Sequence, residues 1–456
     1  MTRILYIPTN RPCLPAIGNG MTECSLMAEA TGEEYVFVLV EHVDSPHVPD
    51  HAAVLAKEAA VSGIPALHLT VDAWERILER ILHNAGFDDG DRDKARELLT
   101  RQGVTYASGP NKAFLTAAAL GVDTLHRRDS DHLPDAEEGT ARFPGTMEVQ
   151  AIGRRVRDVA PLRSAGSLAP QELDQEILFV GSGMFGDPAH DRRELIAAGE
   201  EFGVRILGLS SPWLSHEKRL RDVRGYFTSE ASVRYEEDFF QVDDSGRTEL
   251  GVSCLRRVFL DLPEMPIPDT LGCDYFQKNL LYQLSKPVMF QSRKMRHDHD
   301  AERKQSTMAQ FVDYSLRDLR YIVLWPIWSR HNENLRNAPP TFVRADGSLD
   351  TAWYAGSFRQ ALAEKSLEAK GTARGFAQVF RDASRQGTGD SATRLSAVAD
   401  AADELGDRVV DQVATGIEEF CWLIERWHAL VEAARSVDDT VASLLVRPDP
   451  SGAHGH

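Results

Sequence analysis

The residues of this chain best suited to chemistry begin with two carboxylates one residue apart. They are Asp129 and Asp131, in the run Leu125-His126-Arg127-Arg128-Asp129-Ser130-Asp131-His132. Residues i and i+2 of a strand project to the same face, so a strand ending here would present both to one site. Hard oxygen donors at that spacing suit Mg²⁺ or Mn²⁺, although the same spacing is common in solvated turns. Further along stand Asp274, in Gly272-Cys273-Asp274-Tyr275-Phe276, and two histidines, His297 and His299, in Arg296-His297-Asp298-His299-Asp300. Asp274 precedes an apolar run and could serve as the N-cap of a helix. The two histidines fit either a solvated loop or a metal shell that takes one of them, with His299 favoured. Asn111 and Lys112, at a helix start, could meet an anion or simply cap. Arg256 and Arg257 suit ion pairs as well as phosphate. One of Arg127 and Arg128 is expected to pair with Asp129 or to contact a phosphate. Trp325 and Trp328, flanking Pro326, suit packing better than an acceptor platform.

The elements that must position these residues alternate between strand and helix. Arg3–Pro8, Tyr35–Val40 and Ala66–Leu69 read as strands, the second a near-continuous run of the kind buried on both faces. Helices are predicted over Thr22–Ala30, His51–Val61, Trp74–His83, Asp91–Arg101 and Ala113–Leu120, and Val122–His126 is the strand that delivers the Asp pair. This alternation predicts an α/β fold with a mainly parallel sheet and helices on both faces. Ligands of such sheets sit beyond the carboxyl ends of the strands, so Thr9, Glu41 and Asp129 would line one crevice. Residues 132–175 show no strong period and predict a mobile segment or an unrecognised helix. Ile177–Val180 reads as a strand, and Gly181–Asp187 as a turn or a backbone approach to ligand. A helix over 191–202 and a strand over Val204–Leu209 follow. Beyond residue 303 the pattern turns helical, over 306–320, 355–385, 391–415 and 416–435. Phe420, Trp422, Leu423, Ile424, Trp427 and Leu430 give the last of these a wide apolar face. The organisation predicted is a domain over 1–303, a helical region over 304–447 and a disordered tail over 448–456.

Composition narrows the function classes. Against 69 Asp and Glu the 456 residues carry 51 Lys and Arg, a net charge of −18. That balance argues against nucleic acid or an anionic membrane as partner. No apolar run reaches the ~20 residues of a membrane span, and the N-terminus enters a strand directly. The five cysteines, Cys13, Cys24, Cys254, Cys273 and Cys421, form no Cys-x-x-Cys pair. Their scatter fits a reducing, cytoplasmic setting.

Taken in order, Ile7-Pro8-Thr9-Asn10-Arg11-Pro12, Gly109–Ala113, the Asp pair, Gly251–Phe259, Gly272-Cys273-Asp274 and the His297–His299 pair resemble the landmarks of GT-A fold glycosyltransferases of the family 2 kind, over roughly residues 3–303. The resemblance implies a GT-A-like, metal-dependent enzyme. It would move a sugar from a nucleotide-diphosphate donor to a small-molecule or natural-product acceptor. It implies Mn²⁺ or Mg²⁺ held mainly by Asp131, with Asp129 reaching the ribose or a metal-bound water and a histidine of the 297–299 pair completing the shell. Thr9, Asn10, Arg11, Asp44 and Lys112 would face the donor nucleotide. Asp274 would be the base that deprotonates the acceptor, giving an inverting outcome. Cys273 stands where an acidic residue often precedes that base, and Glu41–Ser45 follow the base-reading pattern loosely. Three other classes compete: a nucleotidyltransferase of related fold, a His-x-His metallohydrolase, and a non-catalytic nucleotide-sugar-binding protein. Donor nucleoside, sugar and oligomeric state are not specified by these residues.

Overall fold

The computed structural model describes residues 2–101, 106–137, 140–163, 168–188, 191–226, 237–243, 246–299, 304–305, 307–339, 342–344 and 348–447. The first half of the chain alternates as its periodicity predicts. Strand β1 (Thr2–Thr9), helix α1 (Leu14–Thr31), β2 (Glu34–Glu41), α2 (Val48–Ser62), β3 (Ala66–Leu69), α3 (Val71–Asn84), α4 (Asp89–Leu99), α5 (Ser108–Ala119) and β4 (Thr124–Arg128) follow one another. The strands β3, β2, β1 and β4 lie side by side and run parallel. Helix α5 is buried along its whole length, and its Asn111 and Lys112 side chains bond to main-chain groups of the surrounding fold.

After β4 the chain turns into β5 (His132–Glu137) and β6 (Thr140–Arg142), then α6 (Gly145–Ala151) and α7 (Pro170–Leu173). The weakly periodic 132–175 stretch thus holds a hairpin and short helices among its described residues. Strands β7 (Phe179–Ser182) and β8 (Met184–Gly186) follow, then α8 (Arg193–Ala198), α9 (Glu200–Ser210) and α10 (His216–Tyr226). The strand expected over Val204–Leu209 is therefore part of a helix. A short apolar run has no period of its own to separate a strand from a buried helical turn. Here Phe202, Val204 and Ile206 are buried, and Gly203 lets α9 lie close to Val223 of α10.

Strands β9 (Phe240–Val242) and β10 (Glu249–Arg256), helices α11 (Val258–Asp261) and α12 (Phe276–Gln283), and strands β11 (Val288–Gln291) and β12 (Met295–His297) complete the α/β part. Helices α13 (Met308–Arg336), α14 (Thr351–Ala369), α15 (Thr372–Ser384), α16 (Gly389–Leu405), α17 (Arg408–Ala434) and α18 (Asp438–Ala442) follow, then strand β13 (Leu445–Val446). The main sheet has nine strands in the order β13-β3-β2-β1-β4-β10-β7-β11-β9. It is mixed: β10 runs antiparallel to both β4 and β7, and β9 and β13 are antiparallel edges. A second sheet of four strands, β6-β5-β12-β8, stands beside it.

The expected boundary near 303 does not separate two cores. One cluster of buried side chains runs from Ile4 through Trp74 and Phe259 to Trp328, Phe420 and Val441. The apolar face of α17 docks as its pattern predicts: Phe420, Leu423, Ile424, Trp427 and Leu430 are buried, and Trp427 Nε1 donates to the Phe259 carbonyl at 2.9 Å. No helix among the described residues is long and apolar enough to cross a membrane. All five cysteines are free and buried. The tail over 448–456 lies outside the described residues.

Candidate metal centre and active site

In the strand order 3-2-1-4 the chain reverses its direction of progress between β1 and β4, and such a switch point opens a crevice at the carboxyl ends of the strands. Both flanks of this crevice carry residues singled out by type and spacing. On the β1 side, Thr9 Oγ1 donates to the Arg11 carbonyl at 2.9 Å and accepts from the Arg11 amide. This closes a tight turn, and Arg11 Nε donates to Asn10 Oδ1 at 3.3 Å. From it Arg11 Nη1 reaches across to Asp131 Oδ2 at 3.3 Å.

On the β4 side the strand ends at Arg128, and Asp129 to His132 form a turn closed by the His132 amide on the Asp129 carbonyl at 3.1 Å. Strand alternation therefore does not extend through the Asp pair, and the two carboxylates part. Asp131 faces a metal-capable group: one ligand atom each from Asp131, His132 and His297 lie within 4.8 Å of one another. His132 opens β5 and His297 closes β12, and the two are directly paired across these antiparallel strands. His297 Nε2 stands 3.5 Å from Asp131 Oδ2.

The tautomers of both rings follow from their other nitrogens. His132 Nδ1 lies 3.0 Å from the Gly251 carbonyl, and His297 Nδ1 lies 2.8 Å from the Asp187 carbonyl. A carbonyl can only accept, so each Nδ1 carries a proton, and in the neutral form of either ring Nε2 is the nitrogen that offers a lone pair. Metal-binding histidines are oriented in this way. Burial, helped by His297, pushes the His132 pKa down and keeps the ring neutral. Gly251 makes room for the turn, since a Cβ there would stand 2.5 Å from both Asp129 Oδ2 and His132 Cε1.

Asp129 is engaged by Arg127 instead. Arg127, fully buried, donates from Nε to Asp129 Oδ1 at 2.9 Å, and its Nη2 pairs with Asp274 Oδ2 at 2.9 Å. One guanidinium thus bridges two carboxylates. Burial alone would raise the Asp129 carboxyl, but the Arg127 guanidinium leads the influences that outweigh it and hold the pKa below the ordinary value. At Asp274 burial prevails over Arg127 and the pKa is raised. Asp129, His132, Asp274 and His297 line one pocket, together with Glu249, Gly251 and Tyr275. Tyr275 donates its hydroxyl proton to Glu249 Oε2 at 2.7 Å.

The remaining candidates fall into place around this centre. Asp274 is not a helix cap: Tyr275 holds that position at α12, with no side-chain cap bond. His299 stands outside the metal-capable group. Its Nε2 lies 3.0 Å from the Pro188 carbonyl and its amide donates to Asp187 Oδ2 at 2.8 Å. Lys112 is buried and donates to the Glu41 carbonyl at 3.1 Å, while Asn111 makes a two-bond clamp on the backbone of Glu264. Both side chains act within the fold rather than at a helix terminus open to an anion. Asp44 is exposed beyond β2. Arg128 pairs with Glu23 and Glu148, and Arg256 and Arg257 pair with Asp123. Trp328 is buried and stacks on Phe276 at 4.3 Å. His132, Glu249 and Tyr275 were not expected at the site, and the signal for His132 was its place directly beside Asp131.

Across residues 2–443 the sequence matches a protein family described as a family of unknown function, DUF6271. The chain belongs to the DUF6271 family. No curated protein matches this DUF6271 chain. The match spans both the α/β part and the C-terminal helices, which agrees with their common core.

Proposed function

We propose that this chain is a metal-dependent, GT-A-like glycosyltransferase. It moves a sugar from a nucleotide-diphosphate donor to a small-molecule acceptor. The observation that supports this reading is the convergence of Asp131, His132 and His297, with both rings turned by backbone carbonyls to offer Nε2, at the switch point between β1 and β4. These three residues would hold the Mn²⁺ or Mg²⁺ ion. When bound, the ion acts as a Lewis acid that neutralises charge building on the nucleoside diphosphate leaving group.

The chain's own groups then have distinct tasks. Arg11, on the opposite flank and already 3.3 Å from Asp131, offers a guanidinium to the diphosphate. Asp274 Oδ accepts the proton of the acceptor hydroxyl as that oxygen bonds to the anomeric carbon and the bond to the diphosphate oxygen breaks. Attack from the face opposite the leaving group inverts the anomeric centre. Arg127 fixes the Asp274 carboxylate and is a positioning residue. Asp129, kept ionised by the same guanidinium, contributes negative charge where oxocarbenium character develops on the sugar.

Thermal unfolding of the chain with nucleoside diphosphates, with and without Mn²⁺, tests this. A ligand at 100 times its dissociation constant stabilises by ~2.7 kcal/mol, and the shift should require the metal. Asp131→Asn should remove the metal dependence while the variant stays folded. Slow release of free sugar from a nucleotide sugar would support transfer over nucleotidyl chemistry. The reading fails if no nucleotide gives a metal-dependent shift, or if Asp131→Asn keeps it.

A further inference from the structure

A second group of donors lies outside this pocket. Glu41 closes β2, His51 lies in the first turn of α2, and His68 lies in β3 opposite Leu39. His51 Nδ1 stands 2.7 Å from Glu41 Oε1, and His68 Nε2 stands 3.0 Å from that same oxygen. The three donor atoms lie within 4.8 Å of one another. The side chains of Glu41 and His51 are fully buried, and that of His68 is 11% exposed.

The hydrogen bonding here is lopsided. Two imidazoles crowd onto Oε1, while Oε2 is buried and has no hydrogen-bond partner among the described residues. A buried carboxylate oxygen without a partner is costly. Lys112, the neighbouring cation, gives its hydrogen bond to the Glu41 main-chain oxygen rather than to the carboxylate. A carboxylate oxygen that shares a divalent ion with two imidazoles explains the crowding on Oε1.

The dimensions fit. Ligand atoms ~2.0–2.2 Å from zinc stand ~3.3 Å apart around a tetrahedron, so the spacings about Glu41 need to open by only a few tenths of an ångström. We propose that Glu41, His51 and His68 form a second metal site, a His₂Glu set suited to Zn²⁺, with a water in the fourth position on the exposed side of His68. Cys13 is not a ligand: its Sγ lies 3.6 Å from His51 Nε2, the nitrogen turned away from Glu41. Metal on Nδ1 moves the His51 proton to Nε2, which then donates to Cys13 Sγ instead of accepting from the Cys13 amide, now 3.2 Å away. Cys13 is two residues beyond Arg11, so the ion would brace the loop that carries Arg11 as well as the start of α2.

The site does not depend on the transferase reading, and its test separates the two. The full chain carrying Asp131→Asn and His297→Ala, equilibrated with Zn²⁺ and dialysed, should retain one zinc per chain by elemental analysis. Adding His68→Ala, or Glu41→Gln, should weaken binding at least tenfold. Co²⁺ should give a visible ligand-field band that His68→Ala abolishes, with circular dichroism confirming that the variant is folded. In the otherwise unaltered chain, His68→Ala should lower bound zinc by one equivalent. The proposal is overturned if the Asp131→Asn, His297→Ala chain holds no zinc above background, or if His68→Ala leaves the zinc content and affinity unchanged.

Discussion

At Asp274 two influences oppose each other: burial raises the carboxyl pKa and the Arg127 guanidinium lowers it, with burial the larger. A base must be deprotonated to act. The rate kcat/KM should therefore rise with pH along a limb lying above the ordinary Asp value of 3.8, and Asp274→Asn should abolish transfer without unfolding the chain. Arg127→Met removes the positive charge that Asp129 and Asp274 share. It should move the limb further up in pH and cost about 3–5 kcal/mol in urea unfolding, the usual penalty for leaving a buried charge unpaired. An unmoved limb in Arg127→Met would show that the guanidinium does not govern the base. At this scale residue type and spacing singled out Asp131, Asp274 and the 297–299 histidine pair, because they bear directly on donor chemistry, but they favoured His299, which stands outside the metal-capable group, and did not choose between Arg127 and Arg128 as the partner of Asp129. They did not carry the division between the two aspartates. That division rests on a turn, closed by the His132 amide on the Asp129 carbonyl, which replaced strand alternation and brought His132 rather than Asp129 to the metal-capable group.

Among the elements, the C-terminal helices do more than cover the sheet. Gly272 has a φ of +67° and would set a Cβ 2.7 Å from a ring carbon of Tyr321 on α13, while Phe276, at the start of α12, stacks on Trp328. Asp274 lies between these two contacts, so α13 holds the candidate base from behind. Trp328→Ala should cost about 3–5 kcal/mol by cavity formation and should also lower kcat more than it raises KM, since it loosens Asp274 rather than the donor crevice. Full stability loss with unchanged kcat would separate α13 from the site. Most strands and helices were legible from period alone, and the exceptions have physical causes. Helix α1 begins at Leu14, eight residues before the expected Thr22, because Pro15 suits a first turn and Gly20 is not a breaker there. A Cβ on Gly20 would meet Phe37 of β2 at 2.4 Å, so the glycine marks close helix–sheet packing. The Val204–Leu209 run failed for the opposite reason: its apolar residues fit either period, and only contact with α10 decides.

For the molecule as a whole, histidines buried in the fold add to its loss of stability in acid. His126 is fully buried beside Glu148, and His331 is fully buried against Tyr354 and Phe358 with Nδ1 3.1 Å from Ser357 Oγ. Burial lowers the pKa of both, that of His331 to about 3 from 6.5. In the unfolded chain these rings take up protons near the ordinary value, whereas in the folded chain they do not. Above about pH 6.5 both states hold them neutral and they contribute no pH dependence. As pH falls from there toward the folded value, the unfolded state binds the extra proton and the fold loses about 1.4 kcal/mol per pH unit for each such ring. Acidic net charge does not predict this, since it arises from where the fold buries imidazoles and not from how many the sequence has. His331→Leu removes one titrating ring at a site already lined by aromatic side chains. Urea unfolding of the parent and the variant at several pH values between about 7 and 4 should give curves that diverge downward in pH, with the variant's slope smaller by about 1.4 kcal/mol per unit. Parallel curves would mean that His331 is protonated in the folded chain, and that burial does not keep its ring neutral.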